Sequence, residues 1–295
     1  MKKILLLLSS ILLFTFGCTE NKNNALDDQP ILLDLFYGME FDAENGVYVD
    51  SVLDNIPGLK HFEFDKIWFY NGGDDYNVSW HAQLGMYIDS IIPQNIWQNL
   101  QPIVDKNFVE HISYNAPFDC IYANEIGEVV QTPIDYAKKW GNLMEKFSET
   151  MKPALDDSVY HRISPLRVCG VIHKVYENHD WATYLVEFSF DYHGSNGCPS
   201  YADYISFNKK DGHRLTEDEL LQLYDKSKLS EALAKEFNKA KEENDMAPTG
   251  DNTLMNMMSG FALIDKGVLI YFQPYVAGSG AEGQYNIIIN EADLK

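Results

Sequence analysis

The run "GVLIYFQPYVAGSGAEGQYNIII" sets Gly278, Gly280 and Gly283 directly behind an apolar, strand-like segment, the spacing and placement of a dinucleotide-binding fingerprint. In that motif the glycines let the backbone approach a pyrophosphate, a following helix offers its N-terminal amides, and an acidic residue about 20 positions on holds the ribose. Gly283 is succeeded by the strand-like "QYNIII", with no helix signal behind it. The three glycines are therefore expected in a loop between two antiparallel strands, where glycine permits positive φ without steric cost. Ser279 has no glycine two positions away on either side, so a nucleophile elbow is not supported.

The other chemistry-bearing residues are scattered. None of the eight histidines forms the HExxH spacing that would place two imidazoles one helical turn apart around zinc. His173, His179, His193 and Cys198 are close enough in sequence to converge across neighbouring strands, but their spacing is unspecific, and they are expected to be surface or turn residues. Asp74 and Asp75 in "NGGDDYN" lack the alternating ligands of a calcium loop and read as a turn. No cofactor, metal or catalytic group is expected. Of the cysteines Cys120, Cys169 and Cys198, the last two lie in strand-rich sequence, and a Cys169–Cys198 disulfide is open in an oxidising compartment. Aromatic residues make up 13% of the chain, and "DYHGSNGCPSYADY" sets Tyr192, Tyr201 and Tyr204 around a glycine-containing loop. Exposed tyrosines stack on sugars or anchor protein partners. Tyr192, His193, Tyr201 and Tyr204, with Tyr275 and Ser279 of the later glycine-rich loop, are the candidate partner-binding residues.

The elements that would carry these residues mix strands and helices without regular βαβ alternation. Val78, Trp80, Ala82, Leu84, Met86 and Ile88 alternate at period two, predicting a long half-buried strand. "GVYVDSVL" and "HFEFDKIWFY" are strands before it, and "NGGDD" is the connecting turn. After Pro93 the period lengthens: Trp97, Leu100, Val104 and Phe108 define an amphipathic helix that Pro102 should kink or divide. A second helix begins with Thr132 as N-cap, Pro133 in the first position and Asp135 at the positive end of the dipole. "RVCGVIHKVY" and "WATYLVEFSFDY" flank "ENHD" as an antiparallel hairpin. A capping box from Thr216 to Glu219 starts another helix, and Leu229, Leu233, Phe237 and Ala240 stripe the next. Lys266 and Gly267 turn a hairpin inside "GFALIDKGVLIYF". These patterns predict an α+β fold of mainly antiparallel sheets with a few packed helices, in two similar-sized subdomains, residues 31–155 and 156–295.

The N-terminus supplies an address. Lys2 and Lys3, the apolar run from Ile4 to Phe16, and Gly17 before Cys18 have the order of a bacterial lipoprotein signal. The apolar run is shorter than the roughly 20 residues a spanning helix needs. Residues 1–17 are thus expected to be removed, Cys18 to carry lipid, and residues 18–30 to act as a polar tether. The expected location is a bacterial membrane, on the outer membrane or cell surface rather than the inner membrane. A formal charge of −21 disfavours nucleic acid and anionic lipid as partners and favours cationic ones.

The succession "YLVEFSFDYHG", "YISFNKKDGHRLTEDELL", a charged helix, "FALIDKGVLIYFQPY" and "NIIINEADL" resembles a bacterial family of extracytoplasmic domains of unknown function. That family supplies the outer part of RsiV-type anti-sigma factors, which sense lysozyme, and accompanies the catalytic domain of PdaC-type peptidoglycan deacetylases. The resemblance is best over residues 181–295 and weaker over 76–155. Two turns depart from it. "HGSNGCPSY" stands where relatives commonly have a Gly-Gly-Ala-His turn, and Val276 to Gly283 replace an acidic residue, a proline and an aromatic. Only Met1 to Lys3 precede the apolar segment, and no stretch resembles the metal-dependent deacetylase domain. Neither direct control of transcription nor inherited catalysis is therefore expected.

Three functions remain open from sequence. The first is a non-catalytic envelope lipoprotein that binds a macromolecule, either a cationic muramidase such as lysozyme or cell-wall peptidoglycan. The second is a glycan-active or peptidoglycan-modifying enzyme, which would need two carboxylates in one cleft. The third is a structural or assembly component of the envelope.

Overall fold

The computed structural model describes residues 40–42, 47–49, 53–71, 77–112, 130–156, 166–192, 200–243, 254–273, 276–277 and 284–295. The strands are β1 (Glu40–Asp42), β2 (Val47–Val49), β3 (Leu59–Asn71), β4 (Asn77–Asp89), β5 (Leu166–Glu177), β6 (Trp181–Tyr192), β7 (Ser200–Asn208), β8 (Gly260–Ile264), β9 (Gly267–Phe272) and β10 (Tyr285–Asn290). The helices are α1 (Gln94–Ile112), α2 (Pro133–Asp156), α3 (Glu217–Leu223), α4 (Lys226–Glu243), α5 (Leu254–Met257) and α6 (Glu291–Leu294). Beside the small β1–β2 hairpin there are two sheets, one ordered β3-β4-β5-β6-β7 and the other β10-β9-β8. The fold is α+β with mainly antiparallel pairing, as its patterns predict.

One pairing differs from that rule. β4 and β5 run parallel, with Leu84 opposite Val168 and Ile88 opposite Ile172. Parallel neighbours need a long crossover, and here α1 and α2 lie within it. The division at residue 155/156 consequently falls inside one sheet, which takes two strands from before it and three from after it. Residues 31–295 form a single compact unit.

Local signals explain the helix starts. The Thr132 hydroxyl accepts the Asp135 amide at 3.1 Å and donates to Asp135 Oδ2 at 2.8 Å, so an otherwise orphaned first-turn donor is satisfied at the start of α2. Thr216 and Glu219 make a complete capping box at α3. Pro102 neither ends nor divides α1, which is continuous from Gln94 to Ile112.

Layering follows from which face each strand residue takes. Leu84, Met86 and Ile88 of β4, Val168 and Ile172 of β5 and Phe188 of β6 pack with Trp97, Leu100, Tyr136 and Trp140 of α1 and α2. Tyr87, Val171, Leu185 and Tyr204 face the other way, onto Ala262, Ile264, Leu269 and Tyr271 of the smaller sheet. The far face of that sheet, with Val268, Ile270, Phe272 and Ile287, is covered by Leu229, Leu233 and Phe237 of α4. The order is thus helices, five-stranded sheet, three-stranded sheet, helices.

Side chains on the larger sheet also cap backbone of the smaller one. The Thr183 hydroxyl bonds to Leu263 O at 2.7 Å, and Ser206 Oγ accepts the Leu263 amide at 2.9 Å. Between α1 and α2, Tyr136 donates to the buried Asp105 at 2.8 Å. Burial raises the Asp105 carboxyl above its ordinary range, against the opposing bonds from Tyr136 and Gln101. Among the described residues no helix is long and apolar enough to cross a membrane.

Candidate functional site

Described residues that flank the two stretches departing from the family resemblance are bonded to one another. β6 and β7 are antiparallel neighbours, with Ser189 opposite Ser200 at the end of the pair nearest residues 193–199 in the chain. β9 and β10 are also antiparallel neighbours, joined through residues 273–284. Gln273 and Gln284, at the two ends of that second connection, both bond to Ala202 of β7, just past the first connection.

The geometry is that of a strand mimic. Gln284 Oε1 accepts the Ala202 amide at 3.2 Å, and Gln284 Nε2 donates to Ala202 O at 3.0 Å. A side-chain amide here makes the two bonds a neighbouring strand would make, on an edge that would otherwise offer open backbone. Gln284 Nε2 also donates to Asn286 Oδ1 at 2.8 Å, which fixes the amide's orientation. Gln273 Nε2 donates to Ala202 O at 3.1 Å and to Asp203 Oδ1 at 3.2 Å. Asp203 also accepts a bond from Tyr271, whose phenol is raised well above its ordinary pKa, first by burial and then by the Asp203 charge. Tyr271 is an inter-sheet core residue, so this network ties the loop ends to the rigid part of the fold. Val276 is 39% exposed, while Ala277 is buried against the outer core.

The candidate residues named from sequence distribute unevenly around this junction. Tyr192 is the last residue of β6, and Tyr201, the second residue of β7, pairs with Phe188. Tyr204 is 2% exposed and meets Tyr271 edge-on with ring centroids 6.0 Å apart, so it serves the inter-sheet core and not a surface. His193, Tyr275 and Ser279 lie outside the described residues, as do Cys18, Cys198, Asp74, Asp75 and the three loop glycines. Cys169 is half-buried on β5, in register with Gly85 and Ser189, and the proposed bridge to Cys198 therefore also falls outside what is described.

Two of the candidate histidines face carboxylates. His173, expected at a surface or turn, is instead buried within β5, where it bonds to Asp89 at 2.8 Å, and the exposed His179 bonds to its neighbour Asp180 at 2.7 Å. Among the described residues no group of three or more His, Cys, Asp or Glu side chains is arranged to hold a metal ion. The glutamines at the ends of "QPYVAGSGAEGQ" escaped the sequence reading. A polar amide at each boundary of a glycine-rich stretch was the available signal.

The family comparison covers the part of the chain that holds Gln273 and Gln284, while the structural comparisons cover most of the chain. Residues 217–291 match a family model described as a protein of unknown function, DUF3298; the match runs from α3 through β10 to the first residue of α6. Two solved structures of that family are similar. A member from Bacteroides fragilis NCTC 9343 is 13% identical, with 79% of this chain and 90% of that one covered and a TM-score of 0.42. A family protein from Pseudomonas aeruginosa PAO1 is 9% identical, with 82% and 94% covered and a TM-score of 0.40. No curated protein matches the chain.

Proposed function

We propose that this chain is a non-catalytic binding module of the bacterial cell envelope, held to a membrane through lipid on Cys18, and that it engages a macromolecule at the junction of the 193–199 and 273–284 connections. The observation that carries the reading is the double anchoring of Gln273 and Gln284 on Ala202. Two connections far apart in sequence start from one fixed point, which is how a rigid scaffold presents variable loops to a partner. Both connections depart from the RsiV-type and PdaC-type resemblance, so the partner is expected to be particular to this member.

A cationic muramidase such as lysozyme, or cell-wall peptidoglycan, is the partner class. The acidic composition, with a formal charge of −21, favours the first by steering and disfavours anionic polymers. The test is retention of the full-length chain, solubilised in mild detergent, on immobilised lysozyme and on insoluble peptidoglycan. Salt-sensitive retention on lysozyme or retention on peptidoglycan is expected. Failure of both would overturn the proposal, and turnover of peptidoglycan on incubation would replace it with the enzyme reading.

A further inference from the structure

We propose that Asp211, His213 and Glu219 form a proton-operated latch that fastens the first turn of α3 to the end of β7. The segment begins where β7 leaves the five-stranded sheet. Its backbone is already held there, with the Asn208 amide on His213 O at 2.9 Å and the Leu215 amide on Ser206 O at 2.8 Å. His213 then reaches a carboxylate with each ring nitrogen: Nδ1 lies 2.5 Å from Asp211 Oδ1 and Nε2 lies 2.7 Å from Glu219 Oε1.

Only one state of the ring fits this arrangement. A neutral imidazole carries one N–H and one lone pair, so one of its nitrogens would face a carboxylate with no proton between them. The imidazolium donates from both. The latch is therefore closed with one proton more than a neutral ring provides. The groups facing the ring come from three elements: Asp211 from the same loop, Glu219 from α3, and the uncharged Trp181 indole of β6, edge-on with centroids 5.6 Å apart. The nearby Lys209 ammonium is taken by Glu177 at 2.5 Å and by Asn178 O at 2.9 Å.

Glu219 makes the latch consequential. Its Oε2 accepts the Thr216 amide at 2.9 Å and the Thr216 hydroxyl at 2.8 Å, while its other oxygen holds the ring. One carboxylate thus joins the helix cap to the imidazole, and loss of the ring's proton weakens the hold on α3. Asp211 first and then Glu219 raise the His213 pKa, the ring lowers that of Asp211, and Thr216 first and then the ring lower that of Glu219. The histidine contribution is then fully present below the ordinary imidazole value and is lost as pH rises through the raised one. The carboxylate contribution is lost as pH falls through the lowered values. The latch is closed between those limits and opens on the alkaline side.

Hydrogen exchange by mass spectrometry on the full-length chain tests this, following peptides that cover residues 213–224 across mildly acidic to mildly alkaline pH and correcting for intrinsic exchange. Protection of the α3 amides should fall about two- to fivefold on the alkaline side, the size of a solvent-screened charged contact. In His213→Gln the protection should be lower and flat with pH. In Asp211→Asn the midpoint of the change should move to lower pH. Protection in the unaltered chain that does not change with pH, the same alkaline loss in His213→Gln, or an unmoved midpoint in Asp211→Asn would each overturn the latch.

Discussion

Asp89 and His173 are 84 positions apart in the chain, and Asp89 Oδ1 lies 2.8 Å from His173 Nδ1 in a buried pair. Asp89 is the last residue of β4 and His173 lies within β5, each one position past the Ile88–Ile172 partners that close the one parallel pairing among the described strands. The second Asp89 oxygen accepts the Lys174 amide at 2.7 Å. One carboxylate thus completes the pairing of two strands whose register no short turn enforces.

Asp89→Ala should therefore destabilise the fold by about 2–4 kcal/mol, since it strands a buried imidazole and a part-buried amide together. Asp89→Asn, which keeps the shape and one acceptor, should cost about half as much. Urea unfolding measures both. Combined with His173→Ala, the Asp89→Ala effect should fall short of additivity by about 1 kcal/mol or more. Strict additivity would mean that the contact carries no energy of its own.

Two glycines with similar backbone angles should respond differently to alanine. Gly58 has φ +87 with open space where a side chain would project, so Gly58→Ala should cost only the left-handed backbone penalty, about 1–2 kcal/mol. Gly212 has φ +79, and a Cβ there would lie 2.1 Å from the Asn95 carbonyl oxygen at the start of α1. Gly212→Ala should pay the same penalty and also push apart the β7–α3 turn and α1, where Asn95 Nδ2 bonds to Lys209 O. Its midpoint in urea should be clearly the lower of the two; equal midpoints would show that α1 yields without cost.

Glu177 gives the acid side of the stability curve a specific contributor. Bonds from Lys174 and Lys209 hold its carboxyl down at about 2. A depressed carboxyl contributes stability that is present above its unfolded value and lost as pH falls toward the folded one. The side chain is 39% exposed, so solvent screening limits the contribution to about 0.2–1 kcal/mol. Glu177→Gln should lower the melting temperature slightly at neutral pH, and the difference from the unaltered chain should vanish near pH 2. A difference that persists there would assign the effect to packing instead.

What the sequence disclosed was largely what depends on near neighbours. Thr132 with Asp135 and Thr216 with Glu219 are three residues apart, so residue type alone nearly determines the caps. Period-two alternation located β4 and the β5–β6 hairpin for the same reason. It did not place Tyr204, because the five-stranded sheet is covered by helices on one face and by the second sheet on the other, and alternation cannot separate a wet face from a dry one when both are dry. The β4–β5 pairing, the Asp89–His173 contact and the grip on Ala202 all join residues about 70 or more positions apart, where no local spacing rule applies.

The grip on Ala202 leads to the prediction that bears most directly on function. Gln284→Ala removes the acceptor for the Ala202 amide, while Gln273 continues to donate to Ala202 O. The stability cost should be modest, about 1 kcal/mol, because an edge-strand amide released from a side chain can turn to water. Local order should suffer more than global stability, and exchange of the Ala202 amide should accelerate by about tenfold or more while the melting temperature falls by only a few degrees. Gln284→Glu keeps an acceptor for the Ala202 amide but places a carboxylate oxygen against Ala202 O and Asn286 Oδ1, where Nε2 now donates, and it should be the more disruptive change. If the junction is where the partner sits, Gln284→Ala should also weaken retention on the lysozyme or peptidoglycan support that holds the unaltered chain. Faster exchange at Ala202 with undiminished retention would move the binding surface away from this junction and leave the glutamines as guards of a sheet edge.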